Sequence, residues 1–213
     1  MAESFLFYIF IAFTILLVWG YFYGKRQNHR IVRNALDSLI EIVEPLDQKM
    51  TNIGGLVGYH IELELPEEDL IGELSGTITL LPRQSLLYLP ISFIIRKFDR
   101  FFIHMELNNR FFRKEAHLFA CKFMQKHRKK IAEDSSLDKD EMLMDGEKFC
   151  VCYKNSGQRQ ELVKLLKRLK NIDQLKEISL YPENNIVDIL IIPRPEQNKE
   201  MLNPIFEWIK NRS

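Results

Sequence analysis

The residues best suited to binding chemistry are basic, and they cluster between positions 110 and 130. Lysine and arginine at this density contact phosphate groups of RNA or of anionic lipids, and such contacts weaken as salt rises. The candidates for these contacts are Arg113, Lys114, Lys122, Lys126, Arg128, Lys129 and Lys130. An ordinary solvated helix face is the alternative explanation, and no aromatic platform of an RNA-reading module accompanies the run in sequence.

Over the whole chain the charges balance, with 30 Lys and Arg against 29 Asp and Glu, so composition gives no general case for nucleic-acid binding. The sequence contains no glycine-rich phosphate loop, no Gly-x-Ser-x-Gly elbow and no HExxH motif. We therefore nominate no catalytic, cofactor-binding or metal-binding residue and expect a protein that is not an enzyme. The alternative is a membrane-tethered enzyme whose site combines His60, His104 and Glu106 with an acidic loop.

Three cysteines, Cys121, Cys150 and Cys152, lie in the part of the chain that we place in the cytosol. Cytosolic thiols stay reduced, so we expect no disulfide framework. Cys150 and Cys152 fall on one predicted strand, which points both thiols to the same face. Because a zinc site needs further Cys or His ligands at suitable spacing, we interpret this pair as small buried hydrophobes.

A stretch without charges, Ser4 to Gly24, positions everything that follows it. As a helix its apolar part reaches roughly 28 Å, close to the ~30 Å hydrocarbon thickness of a bilayer. A cleaved signal peptide is the rival interpretation, but such peptides begin with a basic region and end in small residues. Here large aromatic residues end the stretch, so we predict an uncleaved single-pass anchor.

The flanks of this stretch predict its orientation. Positive charges follow it closely, whereas the N-terminal tail carries only Glu3, so the N-terminus is expected outside or in a lumen and the C-terminal domain in the cytosol. Aromatic rings and basic side chains prefer the membrane–water interface. The predicted interface residues are Trp19, Tyr21, Tyr23, Lys25, Arg26 and Arg30.

The rest of the chain predicts an α+β cytosolic domain. Residues 57–65 alternate apolar and polar side chains, as a half-buried strand does. The order strand, helix, strand, strand, helix then occurs twice, which predicts two βαββα-like units with a mostly antiparallel sheet. The predicted segments are an external tail (1–4), a transmembrane helix (5–24), an amphipathic helix and linker (25–55), a first α+β unit (56–133), an acidic loop (134–146) and a second α+β unit (147–213).

The predicted elements of the two units correspond at intervals of about seventy residues. In the first unit, strands are predicted at 77–81, 100–107 and 111–120, and helices at 84–95 and 122–133. In the second unit, strands are predicted at 147–153, 177–181 and 186–192, and helices at 157–170 and 198–210. The strand 186–192 is apolar on both faces for most of its length, so we predict that it is central.

The order of these parts supports a family resemblance. A span ends in Gly24-Lys25, a short helix follows, and a strand leads to the segment Leu81 to Leu87. Later segments continue the order: Phe101 to Asn108, Leu175 to Tyr181, Asp188 to Pro193, and Met201 to Ile209. This arrangement resembles calumin, the coiled-coil-domain subunit of the PAT (protein associated with the translocon) intramembrane chaperone complex.

The resemblance implies a non-enzymatic chaperone subunit for the biogenesis of multipass membrane proteins. The implied partners are the Sec translocon, the ribosome with contacts to rRNA phosphates, a small multipass membrane partner and nascent transmembrane clients. The implied location is the endoplasmic reticulum membrane or an archaeal cell membrane. No small-molecule substrate and no cofactor are implied.

The sequence departs from the eukaryotic members of that family at both ends. It lacks their long acidic luminal region and their charged C-terminal coiled coil, so calcium binding and ribosome contact by a tail have no residues to carry them. The basic run Lys122 to Lys130 is the substitute candidate, and we expect a minimal form of archaeal type. A third hypothesis is a peripheral domain that binds anionic lipid through Lys25 to Arg33 and the basic run.

Overall fold

The computed structural model describes residues 2–108, 114–123, 131 and 136–211. The helices described are α1 (Ala2–Val43), α2 (Leu89–Ile95), α3 (Ser156–Arg168) and α4 (Asn198–Lys210), with short 3₁₀ helices at Cys121–Phe123 and Ile172–Gln174. The strands described are β1 (Asp47–Asn52), β2 (Gly58–Glu64), β3 (Ile71–Thr79), β4 (Arg100–Leu107), β5 (Ala116–Ala120), β6 (Asp138–Met144), β7 (Glu147–Tyr153), β8 (Leu175–Tyr181) and β9 (Ile186–Ile191).

These nine strands form one sheet in the order β1-β2-β3-β4-β9-β8-β5-β7-β6. Every pairing between the described strands is antiparallel. The predicted α+β class with a mostly antiparallel sheet is therefore confirmed. The strands of the two predicted units interleave, because β9 pairs with β4 while β5 lies between β8 and β7, so both units share one sheet.

The register of the sheet separates an apolar face from a polar one. Successive side chains on a strand point to opposite faces, so a row of paired residues shares one face. One such row crosses the sheet as Ile61, Gly76, Ile103, Ile189, Ile178, Leu118 and Val151. The neighbouring row on the other face reads Glu62, Ser75, His104, Asp188, Ser179, His117 and Cys152.

Helices cover the apolar face and close the main core. One face of the second half of α1 is buried, with Ile31, Val32, Ala35, Leu39 and Val43 at helical spacing. Next to it α4 buries another apolar face, which consists of Met201, Leu202, Ile205, Phe206 and Ile209. The two helices are also joined by polar contacts, since the Asn198 Nδ2 donates to the Asn34 Oδ1 at 2.9 Å.

The first half of α1 has the opposite character. From Phe5 to Tyr23 its large apolar side chains are exposed on nearly all sides, with Trp19 61% exposed. Among the described residues one helix, the Ser4–Val43 part of α1, is long and apolar enough to cross a membrane, with a mean hydropathy of 2.2 in its most apolar window. The predicted apolar span is thus a single helix that continues without a break into the core of the domain.

Most predicted elements are present, with shifted bounds. The alternating segment 57–65 forms β2, the segment 186–192 forms β9 at the centre of the sheet, and 198–210 is helical as predicted. Where a helix was predicted at 84–95, α2 begins only at Leu89, because Pro90 then occupies the first turn and its missing N–H costs nothing there. Of the predicted helix 122–133, most lies outside the described residues.

Two predictions about loops are wrong. The acidic segment 134–146 contains β6, whose Asp140 and Met142 pair with Val151 and Phe149 of β7. The sequence pattern did not indicate this strand, because an edge strand with an exposed face tolerates the same charges that are typical of a loop. Likewise the predicted linker contains β1, an exposed strand that pairs with β2.

The prediction that all three cysteines are reduced is also wrong. A disulfide joins Cys121 to Cys150, with Cα atoms 5.7 Å apart. The strands bring the two together, because Phe119 pairs with Cys150 and Cys121 follows directly after β5. By contrast, Cys152 is a buried free thiol that packs with Phe119 and Leu137, which fits the predicted role of a small hydrophobe.

We expect alkylation to distinguish these cysteines. Denatured but unreduced protein should take up reagent at one position, Cys152, and reduced protein at three positions. Intact-mass spectrometry before and after reduction measures this difference. Uptake at three positions without reduction would contradict the Cys121–Cys150 pair.

A group of three contacting side chains, His117, Glu115 and Lys154, lies on the polar face at β5. The side chain of His117 is fully buried, and its Nε2 atom lies 2.9 Å from the Glu115 Oε1. The amine of Lys154 lies 3.2 Å from the other oxygen of the same carboxylate. Burial alone would raise the pKa of Glu115, but the hydrogen bonds and positive charges of His117 and Lys154 outweigh it and lower the pKa below its usual value.

Because the folded-state pKa of Glu115 is depressed, its carboxylate stabilises the fold above the unfolded-state pKa, and this stabilisation is lost as the pH falls. Glu115→Gln should lower the free energy of unfolding at pH 7 and reduce its loss between about pH 5 and about pH 3. Denaturant unfolding of the full-length protein in detergent measures both. Glu68→Gln, at an exposed position, serves as control. Identical pH profiles for the two variants would contradict the stabilising role of the Glu115 carboxylate.

Candidate membrane interface

The site begins at the end of the sheet where α1 meets the domain, which we call the junction end. Because neighbouring strands run antiparallel, β3 ends where β2 and β4 begin. The connection from β3 to β4, residues 80–99, therefore lies at the junction end together with the turn between β1 and β2. The helix α1 crosses the apolar face from this end to the opposite one, where the Leu46 N–H bonds to the Glu64 carbonyl.

Two glycines of α1 allow another segment of the chain to pack closely against the helix at the junction end. They are Gly20 and Gly24, spaced as G-x-x-x-G, and both are buried. A Cβ at Gly24 would collide with the backbone carbonyl of Arg83, and one at Gly20 would collide with the side chain of Leu86. Small residues four apart permit this kind of packing against a membrane helix. The segment 83–86 thus packs against the last turns of the apolar span.

A buried polar cluster, Asn28, Arg83 and Asp99, holds this contact in place. The Arg83 guanidinium donates to both oxygens of Asp99, at 2.9 and 2.6 Å, and also to the Asn28 Oδ1 at 3.1 Å. In turn the Asn28 Nδ2 donates to the Leu81 carbonyl at 3.0 Å and to the Leu56 carbonyl at 3.1 Å. Since Asn28 and Asp99 are almost fully buried, their hydrogen bonds are costly to lose.

The connection between β3 and β4 carries an exposed apolar surface, which we call the α2 cluster. Its members are Leu87, Tyr88, Ile91, Phe93, Ile94 and Ile95. Their exposed fractions run from 48% to 79%, and Ser92 is the residue of α2 that turns to the protein interior. An apolar patch of this size on a protein surface marks a place where another molecule or a membrane binds.

The predicted interface residues lie on α1, in the turns around Gly20 and Gly24. Trp19 and Tyr23 stack at 5.3 Å between ring centroids, and both are exposed, as is Tyr21. The basic side chains follow within two turns: Lys25 is half-buried, while Arg26 and Arg30 are exposed. Arg30 pairs with the exposed carboxylate of Glu196. Aromatic and then basic side chains therefore follow one another along α1 where it enters the domain.

The predicted phosphate-contacting residues are mostly outside the described part of the chain. This holds for Arg113, Lys126, Arg128, Lys129 and Lys130. The two that are described lie at opposite ends of β5: Lys114 precedes the strand, and Lys122 follows it. Lys122 lies at the junction end, where its amine is 3.3 Å from the Glu147 carboxylate.

The residues of the alternative enzyme hypothesis lie on the polar face of the sheet. His60 and His104 line one shallow groove, and Glu106 lies 3.6 Å from the Nε2 of His104. The Nδ1 of His104 bonds to Asp188 at 2.7 Å. Burial raises the pKa of Asp188, although the hydrogen bond and charge of His104 oppose that rise. Sequence reasoning placed the acidic loop in this site, but that segment forms β6 at the far edge of the sheet.

Sequence reasoning missed the residues that build the junction. The G-x-x-x-G spacing of Gly20 and Gly24 was a usable signal, and so was the charge-free run from Ser85 to Ile95. An apolar run of ten to fourteen residues is too short to span a bilayer and fits a core helix or an interfacial segment. The cluster of Asn28, Arg83 and Asp99 had no such signal, because its members come from three distant segments.

No protein-family model and no curated protein matches this chain. The fold and the site define its class by themselves. It is an α+β domain built on one long helix, the exposed apolar half of which is long enough to cross a membrane.

The junction predicts a sensitive position in α1. Gly24→Leu should push segment 83–86 away from the helix and destabilise the domain by about 1–3 kcal/mol, because the collision is with backbone rather than with a flexible side chain. Hydrogen exchange of residues 80–99 in detergent should accelerate. The matched control is Phe22→Leu, at an exposed position of the same helix. Unchanged exchange in Gly24→Leu would show that the junction is not tightly packed.

Proposed function

We propose that this protein is a single-pass membrane protein whose α+β domain is a non-enzymatic scaffold or chaperone subunit for multipass membrane-protein biogenesis at the Sec translocon and ribosome. The observation that carries the proposal is the continuity of α1. One unbroken helix supplies both the exposed apolar span and part of the buried core, and the junction fixes the two halves to each other. Such a helix holds a domain at a membrane surface in a set orientation.

The charges after the span support a cytosolic domain, whereas the Cys121–Cys150 disulfide is more usual in an oxidising compartment and argues against that side. Lys25, Arg26 and Arg30 follow the apolar segment directly, and positive residues flanking a span favour the cytoplasmic side. The N-terminus then lies outside the cell or in a lumen. A cytosolic domain faces ribosomes, whose RNA offers phosphates to the basic run between Arg113 and Lys130.

The exposed surface of the span supports a role in helix packing. Most large side chains of α1 between Phe5 and Tyr23 are free of contacts with the domain. In a bilayer such a surface packs against lipid, partner helices or client helices. The resemblance to the calumin family, argued from the order of elements, points to a small multipass partner and nascent transmembrane clients.

The polar face supports a non-enzymatic domain. Ser75 pairs across the sheet with His104, whose other strand neighbour is Asp188, so the three residue types of a hydrolase triad are adjacent. In the described residues, however, no hydrogen bond links Ser75 to His104, whose Nε2 faces Glu106 instead. A serine without a base on its hydroxyl is a weak nucleophile.

The proposal predicts ribosome binding that depends on the basic run. Reversing Lys126, Arg128, Lys129 and Lys130 to glutamate should lower co-sedimentation of the full-length protein with ribosomes by about tenfold or more at moderate salt, because each lost phosphate contact removes a share of the electrostatic attraction. The remaining binding should depend less steeply on salt.

A matched control reverses four exposed basic residues from another part of the sequence, Lys164, Lys167, Arg168 and Lys170 of α3 and its C-terminal end. These changes alter net charge equally and should leave co-sedimentation near the wild-type level. Equal loss in both variants would show a nonspecific charge effect, and no loss in either would remove the basic run as a ribosome contact.

A further inference from the structure

The α2 cluster has no role in the function proposed above. Its six large apolar side chains project from a seven-residue helix and the turn before it, and Ile94 is 79% exposed. A soluble domain rarely leaves such residues together in water. We therefore expect another molecule to cover these side chains, and the position of the cluster in the fold indicates which molecule it is.

The cluster lies beside the end of the apolar span. Leu86, directly before it, packs against Gly20, and Arg83 packs against Gly24. Gly20 lies one helical turn, roughly 6 Å, closer to the middle of the span than Gly24. Lys25 and Arg26 mark the interface just beyond Gly24. The chain at Leu86 is therefore at the depth of the outer acyl region when α1 crosses a bilayer.

Basic residues follow the C-terminal end of the cluster. Arg96 and Lys97 follow Ile95 directly, and both are exposed. The Arg96 side chain reaches back to the Leu80 carbonyl at 3.3 Å. Together with Lys25 and Arg26 on α1, these residues place basic groups at the boundary of an apolar surface, as in helices that lie in a membrane interface.

We propose that the α2 cluster inserts into the leaflet that faces the domain and is covered there by lipid acyl chains. The inference rests on one part of the proposed function, that α1 spans a bilayer, and is independent of the ribosome and the translocon. The argument for lipid as the occupant is continuity: Leu86, the residue directly before the cluster, packs with its apolar side chain against Gly20 of the span. The domain would then contact the membrane at two places, α1 and α2, and the second contact prevents it from tilting away from the membrane.

Tryptophan quenching by brominated lipid tests this directly. The chain has two tryptophans, Trp19 in the span and Trp208 in α4 against the core. In a Trp19→Phe background, Ile94→Trp places a reporter in the cluster. Leu46→Trp places a control reporter at a position that is similarly exposed, at 69%, but lies at the opposite end of the sheet.

Each full-length variant is reconstituted in phosphatidylcholine vesicles with and without bromines on the acyl chains. We expect the added emission of the Ile94→Trp variant to fall by about twofold or more in brominated vesicles, as for a side chain within 5–10 Å of the headgroup boundary. The emission added by Leu46→Trp should not change. Circular dichroism checks that each variant is folded.

Three other outcomes would overturn the inference in distinguishable ways. Quenching of Trp19 in the wild-type protein without quenching of the Ile94→Trp emission would leave the anchor intact and reject insertion of α2. A blue-shifted but unquenched Ile94→Trp emission would mean that protein, such as a second copy or a partner helix, covers the cluster. Absence of quenching at Trp19 as well would reject the membrane anchor itself.

Discussion

One constraint governs the whole molecule: a single helix, α1, is exposed and apolar enough to cross a bilayer at one end and belongs to the protein core at the other. Its first half is apolar on all sides, whereas its second half is apolar along one stripe from Ile31 to Val43. The change occurs at Gly20 to Asn28, where the domain first touches the helix. Glycine at two positions permits the close approach, and Asn28 then satisfies backbone groups that the approach buries.

The sheet extends the separation of apolar and polar surfaces across the domain. Alternation of side chains along each strand sends an isoleucine-rich row toward α1, α3 and α4 and a polar row to the other face. From β1 to β4, strands that follow one another in the chain also pair antiparallel, so their connections alternate between the two ends of the sheet. That alternation brings the segment 80–99 to the end where α1 enters, and with it the apolar α2 cluster.

Sequence patterns predicted the parts of this structure that rest on local periodicity. The span, β2, β9 and α4 each carry a long regular signal in their own residues. In contrast, β6 was missed because an edge strand tolerates the charges of Asp138 and Asp140, and the Cys121–Cys150 pair was missed because it follows from the pairing of β5 with β7. The junction depends on Arg83 meeting Asp99 and Asn28 across the fold, which no local pattern contains.

The proposed role is best tested by affinity purification of the full-length chain in mild detergent, followed by mass spectrometry at increasing salt. The account predicts that Sec translocon components and ribosomal proteins are recovered at low salt and that the ribosomal proteins are lost as salt rises. Recovery of neither, from protein shown to be intact and folded, would contradict a role in membrane-protein biogenesis and leave an anchored domain with another task.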